Sequence, residues 1–573
     1  MAPDTAAQHV SSYTVEVDGA RIAKEYADRV REVRVVTSLA SPDVCTVKVL
    51  FSKPRDAGDP WSLDDMPFEI GKKLTVKLGQ TASQSPTTLF AGDVLTVEPE
   101  FGSGGVQVQV RAMDSAHKLH RARNVRSFQN QTVSDIVSKI CQEAGLSVQS
   151  DASGNPLKYL QQSNETDWDF IQRLAAKIGF EFVVVDGTAK FRKPKKGDTV
   201  TLTYPDSLFQ FHPRVTAVQQ IDQVDVRAWD PATKREIAAQ ASSPDLLPEI
   251  GITRDAARKE FHGAKLLVAT EPVEDQSQAT KAAQALLDRM ANGYAIADGL
   301  TFGNPQVRAG ALVEIKGVGT RFGGKYPVHT AIHTLKGGGV YETHFTSSPD
   351  YTIAGMVGGG GGSGAGAPAF GDGLVVGIVT NNNDPDKMGR VRVKYPALSS
   401  TVEGWWARVC VPSSGKERGL MMLPQVDEEV LVGFEHGDVT RPYVVGSLFN
   451  GKDTPGDVLA AQDGSLGVRS DKKLITNSKQ STELTSEDVF KLKSGKDFTL
   501  TSDQKLDLKA SGAATFKADQ SLELSGTQSV KVSTQGGQLQ IQAPTGSLEI
   551  SAMNIKLSAT GTVQISGATI MLG

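Results

Sequence analysis

The sequence has few cysteines, no excess of either charge and no long apolar run. Its 573 residues include three cysteines, Cys45, Cys141 and Cys410, far apart and without a CxxC pair. They predict neither a disulfide framework nor a zinc cluster, and we interpret them as reduced, buried thiols. Lys and Arg number 61 against 65 Asp and Glu, a net charge of −4. The basic excess typical of nucleic-acid binding is therefore missing.

No segment resembles a membrane or secretion signal. The first residues, MAPDTAAQHV, contain neither a basic stretch nor an apolar stretch, so we expect no signal peptide. A run of about 18 apolar residues is also missing, so we expect no transmembrane helix. If the protein leaves the cell, we expect a route other than general secretion.

A glycine-rich stretch divides the chain. Residues 355–369 (GMVGGGGGSGAGAPA) consist almost wholly of Gly, Ser and Ala, which predicts a flexible linker. The block before it, residues 1–354, is rich in alternating patterns typical of half-buried strands, as in 30–36, 45–51 and 73–79.

Three stretches of this first block predict helices. They cover residues 132–146, 166–180 and 275–292. Thr132 and Thr166 are suited to cap the first two helices at their N-termini. Gly179 is suited to end the second, because glycine tolerates the left-handed conformation found at helix ends. We therefore predict a strand-rich α+β domain with a few helices.

Residues 370–452 predict a compact all-β domain. Five short strands, joined by Asn, Asp, Gly and Pro within about 80 residues, fit a small barrel of the OB type. Trp405 and Trp406 could anchor a partner, but we favour a structural role. One ring would lie in the barrel core and the other at a domain contact.

The strongest pattern lies in residues 466–573, after a neck of residues 453–465. Apolar residues occur as pairs two positions apart, and 14 such pairs recur about every eight residues, with 26 of the 28 positions apolar. Both members of a pair lie on one face of a strand. A lone chain of such short strands cannot bury that face, so we predict an intertwined triple-stranded β-helix, a homotrimeric prism.

The predicted prism places the apolar pairs along its threefold axis. Its core positions are Leu500, Leu506, Leu508, Phe516, Leu522, Leu524, Val530, Val532, Ile541, Ile550, Leu557 and Ile565. Burying each such side chain stabilises by roughly 1.5–3 kcal/mol before entropy is subtracted. The rod would therefore be stiff, and stable only as a trimer.

Several stretches resemble a known family. Residues 389–396 (GRVRVKYP), 405–409 (WWARV) and 423–453 resemble the OB-fold domain of the VgrG and phage baseplate hub-spike family, the spike proteins of contractile injection systems. Residues 111–146 and 161–187 resemble the hub of the same proteins. The resemblance therefore extends over most of the chain and implies a mainly β architecture of hub, OB barrel and β-helix needle.

The resemblance also implies partners. In that family the hub trimer joins the spike to a hexameric inner tube among other baseplate components, and a small PAAR-type protein caps the tip. Here Ile570 and Leu572 would contact that tip protein. Sheath contraction would drive the spike mechanically through a target membrane, with effector cargo on other chains. The protein would be assembled in the bacterial cytoplasm and could be released as part of an extracellular particle.

Within this family we favour an extracellular or phage-tail-like particle, with a type VI secretion VgrG spike as the alternative. We expect no enzyme activity, cofactor, metal or nucleic acid. Some phage spikes carry a lysozyme domain after the barrel, but residues 451–465 are too few to form one. Asp427 stands where many relatives have glycine, which we interpret as a turn variation.

Two other classes of protein fit less well. A single-chain β-solenoid that binds or degrades polysaccharide would be a monomer with a carboxylate cluster along one face, and no such cluster repeats here. An OB protein that binds nucleic acid would interleave basic and aromatic residues on its barrel strands.

Three short motifs suggest chemistry without the context that it needs. Residues 319–325 match most of a P-loop, but Tyr326 replaces the Ser or Thr and a strand is predicted to follow. His117 and His120 have a chelating spacing without a recognisable third ligand. The acidic residues 427–429 fit a solvated turn.

Overall fold

The computed structural model describes residues 12–52, 63, 66–79, 86–102, 105–185, 187–194, 197–218, 220–245, 247–269, 273–337, 340–348, 371–456 and 466–571. The predicted linker 355–369 and most of the neck lie outside these residues, as does Leu572. The chain divides into two compact units, Met1–Arg469 and Ser470–Gly573. We call residues before the linker the hub, residues 371–456 the barrel, and residues 466–571 the needle segment.

The three long helices of the first unit occur where the sequence predicts them, and three short ones are added. In the described residues they are α1 (Lys24–Ala27), α2 (Val133–Glu143), α3 (Asp167–Ile178), α4 (Arg254–Arg258), α5 (Gln276–Asn292) and α6 (Gly319–Phe322). Short 3-10 helices span Ser115–His120 and Glu435–Gly437.

Capping fixes the ends of the two helices that the sequence defines best. The Thr132 hydroxyl accepts a hydrogen bond from the Asp135 amide (3.1 Å), and the Asp135 carboxylate accepts one from the Thr132 amide (3.4 Å). The Thr166 hydroxyl caps α3 by accepting a hydrogen bond from the Asp169 amide (3.1 Å). Gly179 ends α3 with a φ of 71°, in the left-handed region. The predicted caps and stop are confirmed.

The hub is built mainly of strands. They are β1 (Ser12–Val17), β2 (Ala20–Arg21), β3 (Val30–Ser38), β4 (Val44–Ser52), β5 (Lys73–Gly79), β6 (Thr87–Gly102), β7 (Gly105–Met113), β8 (Arg123–Gln131), β9 (Ser147–Ser150), β10 (Leu157–Thr166), β11 (Glu181–Val185), β12 (Thr188–Arg192), β13 (Thr199–Thr203), β14 (Leu208–Val215), β15 (Gln223–Asp230), β16 (Arg235–Ala241), β17 (Glu249–Ile250), β18 (Lys265–Val268), β19 (Ala295–Phe302), β20 (Leu312–Lys316), β21 (Gly324–Pro327), β22 (Thr330–Lys336) and β23 (Val340–Thr346).

One eleven-stranded sheet organises the hub. Its order is β14-β19-β23-β22-β3-β4-β7-β6-β5-β1-β2, so strands from both ends of the hub sequence meet at the antiparallel pair β22–β3. Smaller sheets are β10-β8, β11-β12-β9, β13-β20-β21-β17 and β16-β15-β18. The helix α5 buries Ala279, Ala283 and Leu287 against the last of these sheets, which explains its apolar stripe.

The barrel closes as the sequence predicts. Its strands are β24 (Val375–Asn381), β25 (Arg390–Lys394), β26 (Glu403–Val409), β27 (Ser414–Gly415), β28 (Arg418–Gly419), β29 (Glu429–Phe434) and β30 (Pro442–Ser447). Five of them form a closed barrel in the order β24-β25-β26-β30-β29. The alternating residues Val391 and Val393 point into its core and are fully buried.

Two expectations for single residues are wrong. Cys410 is exposed, whereas Cys45 and Cys141 are buried as predicted. Cys410 directly follows the end of β26, where it lies outside the barrel core. Trp406 is only half-buried, because it occupies the outward face of β26, paired with Arg392 on β25.

Candidate functional site: an exposed apolar ladder and the hub–barrel junction

The needle segment exposes the apolar pairs that the sequence assigns to a trimer core. All twelve predicted core residues are exposed in the single chain, with exposed fractions of the residue from 51% at Leu506 to 71% at Leu524. Ile570, at the predicted tip contact, is also exposed. We call this row of pairs the apolar ladder. Monomeric soluble proteins rarely expose so long a continuous apolar surface, which therefore indicates an interaction site.

The backbone of the needle segment repeats with the ladder. Bends begin at residues 471, 479, 487, 495, 503, 511, 519, 527 and 535, each eight residues after the last. Later bends begin at 544, 553, 560 and 568, which follows the spacing of nine, nine, seven and eight between the apolar pairs there. The sequence period is therefore a structural period, with one corner between each apolar pair and the next.

Serine side chains close the first five corners. The hydroxyl groups of Ser470, Ser478, Ser486, Ser494 and Ser502 each donate a hydrogen bond to the carbonyl oxygen three residues ahead, at 2.8–3.3 Å. Serine is suited to this role because its short side chain reaches its own backbone. The corners are thus formed within one chain, before any partner is present.

Between corners, polar side chains share the face opposite the ladder. Lys505 Nζ lies 2.6 Å from Asp507 Oδ2, two positions along the chain. Gln540 Nε2 likewise donates to Gln538 Oε1 at 3.0 Å. Side chains two positions apart can meet in this way when the chain alternates between two faces. One face of each run is therefore apolar and the other is polar.

In the described part of the chain, the segment finds no partner for its ladder. Among residues 466–571 no residue takes part in a β-bridge and none is buried. The five hydrophobic clusters of the described chain all draw their members from the hub and the barrel. A single-chain solenoid would pair its strands and bury the ladder, so this arrangement argues against that alternative.

A second feature of the first unit is the contact between hub and barrel. The ring of Tyr159, on β10, stacks on Trp405 of β26 with centroids 5.2 Å apart and planes 19° apart. The Tyr159 hydroxyl lies 3.0 Å from the Glu403 carbonyl oxygen and 2.7 Å from Gln161 Oε1. Burial raises the pKa of Tyr159 well above its usual range. The predicted domain contact of one tryptophan ring is confirmed at Trp405.

Charged groups of the barrel stabilise this junction. Arg392 Nη1 lies 2.7 Å from Glu403 Oε2, and its guanidinium lies 5.9 Å from the Trp405 ring centroid. Thr380 donates a hydrogen bond to the same carboxylate. Further along, Arg441 donates to the Val273 carbonyl oxygen of the hub. Hub and barrel are therefore joined by ring stacking and by charge-assisted hydrogen bonds.

The loop between β24 and β25 is held by a partly buried ion pair. Arg390 binds both oxygens of Asp384, at 2.6 and 3.1 Å. Burial raises the pKa of Asp384, but the hydrogen bonds from Arg390 and from the Asp386, Arg390 and Met388 amides outweigh that effect and lower the pKa to about 2. The loop therefore depends on an ionised carboxylate.

The motifs that suggested chemistry have structural partners instead. His117 Nε2 lies 2.9 Å from Asp93 Oδ2, and His120 stacks on Trp168. Residues 319–325 form the short helix α6 and enter β21, and the strand predicted to follow the motif is confirmed as β22. Residues 427 and 428 are exposed, as a solvated turn requires. In the described residues no group of three His, Cys, Asp or Glu side chains is arranged to hold a metal.

The hub also has an open groove of about 680 Å³ beside its edge strand β14. Phe209, Phe211, His212 and His344 are among the residues that line it. Of the residues that the sequence analysis singled out, Phe322 of the P-loop-like stretch 319–325 lies there. In the part of the chain that the structure covers, no helix has the length and apolarity to cross a bilayer.

Comparison with known proteins decides the family. The model of the family described as the Alg8 N-terminal domain matches residues 7–337, more than half of the chain. The chain belongs to this family. A second model, described as the type VI secretion system/phage-baseplate injector OB domain, matches residues 375–449 and so covers β24 to β30. The predicted membership of the VgrG and phage baseplate hub-spike family is confirmed.

Individual relatives are named as spike proteins. The type VI secretion system spike protein VgrG1b of Pseudomonas aeruginosa is 26% identical over 389 residues, which are 61% of this chain and 50% of the relative. VgrG3 of Vibrio cholerae is 33% identical over 73 residues, 12% of this chain and 7% of the relative. The chain spans about half the length of the curated relatives it matches, with 50% and 51% for the first two.

A solved structure is also among the similar proteins. An E. coli component of the type VI secretion system, described as structurally similar to the T4 bacteriophage tail proteins gp27 and gp5, is 16% identical. It covers 77% of this chain and 100% of its own, with a TM-score of 0.45.

Proposed function

We propose that the chain is one of three identical subunits of the spike of a contractile injection system. The observation that carries this proposal is the apolar ladder, which is regular in period, has a corner between successive pairs and has no partner among the described residues of its own chain. Three copies wound around one axis would bury the ladder and pair the strands. The similarity to relatives that are named spike proteins and the injector-type OB barrel support the same conclusion.

In this proposal the hub joins the spike to a hexameric inner tube and other baseplate components. A PAAR-type tip protein caps the needle at Ile570 and Leu572, and sheath contraction drives the needle through a target membrane. The subunit is made in the bacterial cytoplasm and acts in a particle of extracellular or phage-tail-like type. The type VI secretion spike is the second candidate, and the names of the relatives favour it.

We propose a mechanical rather than a catalytic role. Three relatives that each match 61% of this chain are named spike proteins. One relative of 21% identity is named an actin cross-linking toxin, but the match covers only 33% of that protein. Any effector would be carried on another chain, bound to the spike.

The test is the oligomeric state of the full chain. Native mass spectrometry of the 61.0 kDa chain should give three times that mass. The double variant Leu508→Asp, Leu524→Asp puts charges on the ladder face and should give a monomer. The matched control Ser525→Asp, Ser558→Asp adds the same charges to the polar face and should stay trimeric. A monomeric wild type would refute the proposal.

A further inference from the structure

The residue between the two members of each apolar pair has an ordered charge pattern. In chain order these middle residues are Gly467, Ile475, Glu483, Lys491, Thr499, Asp507, Thr515, Glu523, Lys531, Gln540, Glu549, Lys556, Gln564 and Met571. Seven of the 14 are charged. Wherever two charged middle residues are neighbours in this series, a Glu is followed by a Lys.

Six of the seven charges form three such steps. The steps are Glu483 to Lys491, Glu523 to Lys531, and Glu549 to Lys556. The seventh charge, Asp507, lies between two threonines in the series and contacts Lys505 of its own run. No two like charges follow each other. An arrangement that only kept the surface soluble would not need this order.

The middle residues lie on the polar face. The Lys505–Asp507 and Gln538–Gln540 contacts place middle residues on the same side as the polar residues two positions before them. The six residues of the three steps are all exposed. In the described residues none of the six has an ion-pair partner in its own chain. A corner separates the two members of each step, so they belong to different straight runs.

We infer that each Glu pairs with the Lys of the following apolar pair on a neighbouring copy of this chain. The inference rests on the proposed trimer, in which each chain moves to the next side of the prism at every corner. By threefold symmetry, a run of one chain then stacks directly on the preceding run of its neighbour. Parallel strands so stacked lie about 4.8 Å apart, and residues at equivalent positions are adjacent.

The three steps then supply three ion pairs on each of three sides of the prism. Opposite charges directly across neighbouring strands stabilise, and like charges destabilise. If the chains were shifted in register so that the same run of two chains lay side by side, Glu would lie beside Glu and Lys beside Lys. The partner that this surface fits is therefore a second copy of the same chain, one run out of step, and the charges specify that register.

Charge exchange in the full-length protein tests the inference. Glu523→Lys places two lysines side by side, and Lys531→Glu places two glutamates side by side. Each single variant should dissociate about tenfold faster than wild type in detergent at a fixed temperature. The double variant Glu523→Lys, Lys531→Glu should recover the wild-type rate within about threefold. Added salt should reduce these differences.

Asp519→Lys is the matched control. It changes the net charge as Glu523→Lys does, but it lies at a corner, and the equivalent residues Ser511 and Thr527 are uncharged. It should dissociate at nearly the wild-type rate. If both single variants behave like this control, or the double variant fails to recover, the wild-type trimer stands and the inference is wrong. A monomeric wild type would instead overturn the proposed function.

Discussion

The barrel and the needle segment use the same local pattern with opposite outcomes. In the barrel, Val391-Arg-Val393 alternates apolar and polar residues, and both valines are fully buried. In the needle segment, Leu522-Glu-Leu524 alternates in the same way, and both leucines are more than half exposed. Alternation defines which face of a strand is apolar, but it does not say which chain will cover that face.

The difference lies in the connections between strands. Barrel strands are joined by turns and loops long enough to bring five strands of one chain around a common core. In the needle segment a corner follows every six residues or so, and successive runs do not pair. The corners of the needle segment do not bring one run beside another, so its apolar face is left for other copies.

The largest expected effect is in the barrel core, where one chain covers its own apolar face. Val379→Asp places a charge in the barrel core, where Val379 is fully buried, and should cost about 4 kcal/mol or more in the free energy of unfolding. The control Val376→Asp, on the same strand but exposed, should cost less than about 1 kcal/mol. Denaturant unfolding of the full chain measures both, and equal costs would contradict the assigned core.

The next largest effect on stability is expected at the junction between hub and barrel. Trp405→Ala removes the ring that stacks on Tyr159 and should lower the stability of the joined hub and barrel by about 2 kcal/mol. Tyr159→Phe keeps the stack and loses only the hydroxyl, so about 1 kcal/mol is expected. Trp405→Ala should also split one denaturation transition into two. If Tyr159→Phe costs as much as Trp405→Ala, the hydroxyl and not the stack holds the junction.

A pH dependence follows from the ion pair in the barrel. The pKa of Asp384 is lowered from 3.8 to about 2, so its contribution is present above pH 3.8 and is lost as pH falls toward 2. Asp384→Asn should be less stable than wild type by about 2 kcal/mol at pH 6, and this difference should vanish near pH 2. Urea unfolding across that range measures it. A difference independent of pH would show that the carboxylate charge is not the cause.

The smallest effect concerns one turn of the barrel. Asp427 has a φ of 72°, in the left-handed region, where glycine meets no steric penalty. Asp427→Gly should raise the stability by about 0.5 kcal/mol, because relief of strain slightly exceeds the added entropy of the unfolded chain. Asp427→Ala should be less stable than Asp427→Gly. A gain for alanine would mean that strain is not what Asp427 experiences.

Local features of the fold were predictable because local forces set them. The helices near residues 132–146, 166–180 and 275–292 and the five barrel strands follow from periodicity, and Thr132 and Gly179 follow from capping chemistry. The eleven-stranded sheet was not predictable in the same way. Its β22–β3 contact joins residues about 300 positions apart, and no local pattern records which distant strands will pair.

The candidate site was predictable only in part. The ladder residues and their period were visible in the sequence, and the structure gives the same period to the corners. The positions of the two tryptophans needed the structure, because both rings lie on a strand that carries a bulge beside β25. The contact of Trp405 with Tyr159 joins two domains, and nothing near either residue indicates its partner.

The serine-closed corners are confined to the part of the needle segment nearest the barrel in sequence. After Ser502 the equivalent positions are Ala510, Ala518, Gly526, Thr534, Ala543, Ala552, Ala559 and Gly567. Seven of these eight side chains have no hydroxyl to offer, so those corners keep more conformational freedom until something else fixes them. The first five corners therefore lose the least entropy on assembly. Winding of three chains would then begin most easily at the corners that come first in the sequence, after the barrel, and proceed toward residue 571.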